Sequence, residues 1–229
     1  RSWLERRANY SSSFKKLSFR FNLFHQLVLR LEKKIFESGQ CKKIIAISEM
    51  VKRDILKHYK LPEGRIEVVY NGVSLDRFHP DNKNRFRKEV RNRLGISDTE
   101  VMVLFVGSGF ERKGLKYLLK ALPYIKKNNW RLVLVGKGNW ESYLSLLSEA
   151  NKKKVIHLDP IDNIETLYAS ADFFVLPSIY EPFGNANLEA LAAGLPIITS
   201  RNCGAAEIIT SKKEGIVLNE PSDTKAIAG

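Results

Sequence analysis

DFFVLPSIYEPFGNANLEALAAGLPIITS, Asp172 to Ser200, is the stretch on which the fold turns. Phe173 to Leu176 is a short apolar run closed by Pro177, the pattern of a strand buried on both faces. Glu181-Pro182-Phe183-Gly184 then turns the chain. Asn185 or Asn187 starts a helix, NANLEALAA, which Gly194 and Pro196 bring to a stop. PIITS is apolar again. Two buried strands joined through a helix form a parallel unit, because only a crossover can return the chain in the same direction.

The same alternation continues on both sides. Upstream, MVLFVG, RLVLVG and KVIHL read as strands, and GLKYLLKALPYIKK, WESYLSLLSEANKK and NIETLYASA as the helices between them. Downstream, GAAEIIT reads as a short helix and GIVLN as a last strand. The expected fold is α/β, a doubly wound parallel sheet of Rossmann type, in which ligands bind at the carboxyl ends of the strands. Earlier in the chain, FNLFHQLVLRLEKKIF (Phe21 to Phe36) has helical apolar spacing with Arg30, Lys33 and Lys34 on its other side. CKKIIAIS is a strand, Ser48 caps the helix EMVKRDILKHYK, and IEVVY is a strand before the Asn71-Gly72 turn. VSLDRFHPDNKN carries turn formers and charge and reads as a linker between domains. The division expected is residues 1–75 and 76–229. Both ends read as cut from a longer chain.

The 229 residues are 44% hydrophobic and 28% charged, within the range of globular proteins. Cys41 and Cys203 lie far apart, which suggests a reduced, intracellular setting without a disulfide framework. His25, His58, His79 and His157 are scattered, so no metal site is expected. No apolar run reaches the roughly 18–20 residues of a membrane span. The net charge is +13, and residues 1–43 hold eleven Lys/Arg against three Glu, interleaved with Trp3, Tyr10, Phe14, Phe19, Phe21 and Phe24. Such charge points to nucleic acid, an anionic membrane surface or a phosphorylated ligand. Nucleic acid is disfavoured, because the glycine-and-cation loops sit at strand ends and no nucleic-acid motif is present.

Those strand ends carry the chemistry. In VGSGFERKGL, Gly107 and Gly109 allow close backbone approach, and Arg112 and Lys113 supply cations ahead of a helix. The loop does not fit G-x-G-x-x-G, and the next strand ends in Val135-Gly136, where a nicotinamide enzyme needs an acid. No Walker sequence occurs either. VGKGNW repeats the combination with Lys137. In LDPIDNIE, Asp159 and Asp162 suit a helix cap, and the backbone around Ile161 could edge a base or ring. Each loop alone has an ordinary structural reading, but two glycine-and-cation ends in succession favour an anionic ligand. The fourth end brings Glu181 to the rim, a helix start with its dipole, and Glu189 about one turn inside that helix. A carboxylate at such a place suits a polyol. Phosphate between two polyols describes a nucleotide sugar.

Several of these segments together resemble a known family. EPFGNANLEALAAGLPII resembles the E-x7-E region of the retaining glycosyltransferases of family 4, also called group 1, whose GT-B fold has two facing Rossmann domains. IIAISEMVKRDILKHY and RIEVVYNGVSLDRFHP resemble that family's inter-domain segment. VGSGFERKGLKYLLKAL, LVLVGKGN, LYASADFFVLPSIYEPFG and GAAEII resemble its C-terminal domain, in order. The resemblance covers nearly the whole chain. It implies that Glu189 binds ribose hydroxyls, that Glu181 holds the transferred sugar, and that Arg112 and Lys113 neutralise the diphosphate. Gly107 and Gly109, with the backbone at Phe183, Gly184, Asn185 and Ala186, would contact sugar and phosphate, and Lys137 would sit near the distal phosphate or the base.

Many members carry Gly-Arg after the first strand, where this chain has Gly107-Ser108, so Arg112 must supply that cation. This departure and the basic leading segment are similar to bacterial lipopolysaccharide core glucosyltransferases. The resemblance further implies retaining, metal-independent transfer from a UDP-glucose-like donor, with no cofactor, to a glycan or glycolipid acceptor. The setting it implies is cytoplasmic, with residues 1–43 a candidate contact to the inner face of the membrane. Residues 1–75 would be the end of the acceptor domain, so this chain alone is expected to bind donor weakly and not to turn over. Phosphorylases and epimerases of the same fold remain open alternatives.

Overall fold

The computed structural model describes residues 1–10 and 22–229. They form two compact units, Arg1–Asn71 and Gly72–Gly229.

In the first unit, α1 (Ser2–Asn9) and α2 (Leu23–Glu37) precede the short parallel pair β1 (Ile44–Ala46) and β2 (Ile66–Val68), with α3 (Glu49–His58) between them. Asn22 caps α2 by accepting from the His25 N–H at 3.2 Å, so the helix begins just after Phe21, which lies outside the described residues. Ser48 caps α3 as expected, accepting from the Val51 N–H at 3.1 Å. Ile44, Ala46 and Ile66 form a small core against which Phe36, Val51 and Ile55 pack. α2 is turned the unusual way. Leu23, Phe24, Leu27, Leu31 and Ile35 are 51–80% exposed and make one continuous stripe at helical spacing that includes Arg30 and Lys34, so these two cations do not lie on the opposite side as the sequence reading had them.

The second unit is a six-stranded parallel sheet. Its strands are β3 (Val101–Val106), β4 (Trp130–Val135), β5 (Val155–Leu158), β6 (Phe173–Leu176), β7 (Ile197–Ser200) and β8 (Gly215–Leu218). They lie in the order β5-β4-β3-β6-β7-β8, the doubly wound arrangement in which the winding reverses between β3 and β6. Met102, Leu104, Leu132, Leu134, Phe174 and Leu176 are wholly buried in the sheet, as the uninterrupted apolar runs require. Among the described residues no helix is long and apolar enough to cross a membrane.

Three helices differ from the sequence reading for local reasons. GLKYLLKALPYIKK is α-helical only over Leu115–Ala121 (α5). Pro123 lacks an N–H and clashes with the preceding turn, so the chain tightens to a 3₁₀ turn at Leu122–Tyr124. WESYLSLLSEANKK is split by Ser148, whose hydroxyl accepts from the Asn151 N–H at 3.3 Å. A 3₁₀ stretch, Glu141–Leu146, precedes it and one α-turn, Glu149–Lys152 (α6), follows. GAAEIIT is a 3₁₀ turn over Gly204–Ile208. The segment read as linker is structured too. Phe78 is buried in the main core, and Asn82–Arg93 forms a helix, α4, that its charge had concealed.

α4 is held by Asp172, the residue before β6. Its carboxylate accepts from the Met102 N–H of β3 at 2.8 Å, from Arg87 at 2.7 Å and from Arg91 at 3.3 Å. Arg91 is completely buried and also donates to the carbonyls of Ser170, Ser97 and Glu100. A guanidinium in that position is tolerable only while its acceptors stay in place. Asp172→Ala is expected to lower the unfolding free energy by about 3 kcal/mol in urea titration, the typical cost of stranding one member of a buried pair. A loss under 1 kcal/mol would show that the carbonyls alone satisfy Arg91.

Candidate functional site at the sheet's switch point

The loops after β3 and β6 meet where the winding reverses, and their contact depends on one glycine. Gly114 has φ +75°, and a Cβ there would lie 1.9 Å from the Pro177 carbonyl oxygen. No side chain fits that gap, so only glycine lets the first loop lie on the end of β6. The Ile179 N–H donates to the Arg112 carbonyl at 2.9 Å across the same seam. Gly107 leaves room for the stem of Lys113, whose Cε is 3.1 Å from where a Cβ would stand. Gly136, at the end of β4, would place a Cβ 2.4 Å from the Gly107 carbonyl oxygen. The Lys137 N–H donates to the Ser108 hydroxyl at 3.1 Å, and the Gly109 N–H to the Lys137 carbonyl at 3.4 Å. Three strand ends, two of them glycine-bearing, are thereby laced into one floor.

On that floor stand the expected cations, with Glu181 between them. Arg112 donates to Glu181 Oε2 at 2.6 Å, and the Lys113 ammonium lies 2.5 Å from the same oxygen. The family resemblance has both cations neutralising a diphosphate; in the folded chain they converge on Glu181. Glu181 is buried and anchored by its backbone, its N–H donating to the Asn202 carbonyl and its own carbonyl accepting from Gly204. Two cations on one carboxylate leave a net charge of +1 at the switch point. Arg112 remains about one-third exposed, so this positive end stays open to a ligand.

The turn after Glu181 is set by sterics. Gly184 has φ +90°, and a Cβ would come 2.7 Å from the sulfur of Cys203 and 3.0 Å from both the Asn187 amide nitrogen and Glu181. Gly184 precedes helix α8 (Asn185–Ala192), which opens without a side-chain cap. The helix starts at Asn185, one of the two positions read from the sequence, and neither asparagine side chain caps it. Asn185 is exposed, whereas Asn187 points into the core and donates to Thr199 and Cys203 at 3.3 and 3.1 Å. The Phe183 ring is buried, and its carbonyl accepts from the Cys203 thiol at 2.9 Å and the Ala205 N–H at 2.7 Å. Burial pushes the Cys203 thiol up to about 11. Glu189 is half-buried one turn into α8 and accepts from the Tyr168 hydroxyl at 2.9 Å. The same hydroxyl donates to the Ala186 carbonyl at 3.3 Å.

The remaining sequence candidates lie nearby on the same strand ends. Lys137 is exposed, and among the described residues its ammonium pairs with no carboxylate. Ile161 is half-buried against the main core in the loop after β5. Gly114, Tyr168 and Cys203 support the site and were not read as site residues in the sequence, and Asn187, read there only as a possible helix start, supports it from the core. Gly114 had a signal, as a glycine directly before an apolar helix. Tyr168 and Cys203 carried no such signal. Among the described residues no group of three or more His, Cys, Asp and Glu side chains gathers as a metal site, and both cysteines are free thiols.

The family profile described as "Glycosyl transferases group 1" matches residues 86–229, more than half of the chain. The chain belongs to the group 1 glycosyltransferases. A second profile, "Glycosyltransferase Family 4", matches residues 8–77. This group 1 chain is 37% identical over 186 residues to the uncharacterized glycosyltransferase MJ1607 of Methanocaldococcus jannaschii, covering 79% of this chain and 47% of that protein. It is 29% identical over 194 residues to the lipopolysaccharide glucosyltransferase WaaG of Escherichia coli K12, covering 83% of this chain and 52% of WaaG. A crystal structure of WaaG, a glycosyltransferase involved in lipopolysaccharide biosynthesis, superposes with a TM-score of 0.83 at 26% identity. That match covers 95% of this chain and 61% of the WaaG chain. The fold is thus of GT-B type, and the chain spans about half the length of the curated relatives it matches.

The buried thiol gives a direct check on the turn. Its proton is held more tightly folded than unfolded, so Cys203 favours the native state less as pH rises from about 9 towards 11. At pH 8 the native protein is expected to expose only Cys41 to a thiol reagent, with Cys203 reacting after urea unfolding. Fast labelling of Cys203 in the native protein would mean that the Gly184 turn opens.

Proposed function

We propose that residues 72–229 bind the donor of a retaining glycosyltransferase, a nucleotide sugar of UDP-glucose type, and that no metal or cofactor takes part. In this reading the complete protein passes the sugar to a glycan or glycolipid acceptor in lipopolysaccharide or cell-surface polysaccharide assembly. The observation that carries the proposal is the Arg112–Lys113–Glu181 cluster at the switch point, with Glu189 on the adjoining helix. The likeness to the lipopolysaccharide glucosyltransferase WaaG supports the acceptor class and the glucose donor.

The chemistry follows from charge. When the sugar leaves its carrier, negative charge grows on the diphosphate. Arg112 and Lys113 are already oriented by Glu181, and the uncapped start of α8 adds the positive end of a helix dipole. Groups that need no reorganisation stabilise the transition state more than the ground state. Losing one such contact should cost on the order of 10²–10³-fold in rate. The carboxylates then divide the polyols, with Glu189 taking the ribose and Glu181 reaching the sugar.

The pairing sharpens the test of Glu181. Replacing it by Ala would strand Lys113, which is buried, so Glu181→Gln is the cleaner variant. By calorimetry, Glu181→Gln is expected to bind UDP as well as or better than the native chain, because two cations lose their internal partner. Any advantage of UDP-glucose over UDP should disappear. Glu189→Ala should weaken both ligands about tenfold, roughly one charge-assisted hydrogen bond. Unchanged affinity for UDP-glucose in both variants would refute the site.

The α2 stripe supports a membrane partner within the same reading. Five exposed apolar side chains interleaved with Arg30 and Lys34 suit an interface of acyl chains and anionic headgroups. Such contact would hold the protein peripherally, on the cytoplasmic face where a glycolipid acceptor is built. Part of the basic segment read from the sequence, Phe14, Phe19 and Phe21 included, lies outside the described residues. In flotation assays the chain is expected to rise with vesicles containing anionic lipid, and Leu27→Glu/Leu31→Glu should abolish this. Binding indifferent to anionic lipid and to salt would contradict it.

A further inference from the structure

Glu189 is held by a neighbour as well as by its helix. Tyr168 belongs to α7 (Glu165–Ser170), the helix before β6, and is wholly buried. Its ring stands edge-on to Phe78 with centroids 5.6 Å apart, and 5.7 Å from Phe174. Those contacts leave the phenol one direction, towards the first turn of α8. There its hydroxyl meets two acceptors, the Ala186 carbonyl and Glu189 Oε2. A buried hydroxyl must be paired, and a phenol beside a carboxylate donates to it. Burial, and then the charge of Glu189, keep that phenol protonated well above its ordinary range, so the donor persists at any working pH.

We infer that Tyr168 is a positioning residue: it fixes one oxygen of Glu189, so that the carboxylate presents its other oxygen, in one rotamer, to the vicinal hydroxyls of a ribonucleotide. The inference rests on the reading of Glu189 as the ribose partner and deepens it. A mobile glutamate would lose side-chain freedom on closing over a ligand, and an anchored one has already lost it. The consequence is selectivity. A ribonucleoside diphosphate gains from the anchored carboxylate, and a dideoxynucleotide, having no hydroxyls to offer, does not. Phe78 ties this to the segment leading into the domain, because its ring closes one side of the Tyr168 pocket.

The test is a ratio, which a general loss of stability would not move. UDP, ADP and GDP are each titrated against the whole chain beside their 2′,3′-dideoxy forms, and the tightest pair is followed. In the native chain the ribo form should bind about tenfold more tightly, the size of one good charge-assisted hydrogen bond. Tyr168→Phe keeps the ring and removes the hydroxyl. It should cut the ratio to about threefold or less while leaving the dideoxy affinity within about twofold. In a Glu189→Ala background, whose ratio should already be near one, Tyr168→Phe should have no further effect on it. Equal weakening of both ligands by Tyr168→Phe, or an unchanged ratio, overturns the role of Tyr168 while the Glu189 site stands. No nucleotide binding, or a ratio that survives Glu189→Ala, overturns the site and this inference together. If Tyr168→Phe fails to fold, Phe78→Leu loosens the same pocket wall from the other side. It must then lower the ratio without the dideoxy affinity falling in parallel, and a ratio it leaves unchanged overturns the inference.

Discussion

A missing methyl group holds the ligand edge of this protein together. Gly114 lies so close to the Pro177 carbonyl that any Cβ would overlap it. That approach seats the loop after β3 on the end of β6, where the direction of winding reverses. Everything the site offers follows from it. Arg112 and Lys113 are carried to Glu181, and the start of α8 faces them from the next strand. Positive φ at Gly114 and Gly184 is a backbone cost that only glycine meets cheaply, and it falls on the two loops that shape the site.

The electrostatics resolve an oddity of composition. A chain with a net charge of +13 places a buried carboxylate between two of its cations, Arg112 and Lys113. Glu181 lets two cations stay close together without a ligand, since an uncompensated buried ammonium beside a guanidinium would be costly. It leaves one unit of positive charge over at the switch point. The same logic recurs at the opposite end of the sheet. There Asp172 holds Arg87 and the wholly buried Arg91 and so fastens α4. One acid holds two cations together at the switch point, and the other keeps a helix in place. Membership of the group 1 glycosyltransferases gives the first arrangement its chemical sense.

The sheet was readable because its signal is local and dense. Strands buried on both faces must be apolar throughout, and MVLFVG, RLVLVG and DFFVLPS could be little else. Helices were less legible wherever one polar residue could redirect the backbone. Ser148 splits one, Pro123 shortens another, and a third, α4, begins inside the stretch read as linker and was not read as a helix. α4 forms because two of its arginines reach Asp172, a partner about eighty residues away. No window of sequence contains that fact. The site divides in the same manner. Glu181, Glu189, Arg112 and Lys113 stood out as charges at strand ends, whereas Tyr168 carried no signal and Asn187 read only as a possible helix start. Their polar atoms meet partners that only folding supplies.

The sequence alone determined the parallel α/β sheet, the strand ends where glycines and charges gather and the E-x7-E stretch from Glu181 to Glu189. Periodicity and glycine placement act over a few residues and survive without tertiary context. Tertiary structure alone decided which charges pair. Glu181 could have faced a ligand with the cations across from it, and instead it binds them both. Tyr168, silent in the sequence, turned out to hold Glu189. Hydrogen bonds and ion pairs act over about 3 Å, and residues dozens of positions apart reach that range only once the sheet has brought their loops to one edge.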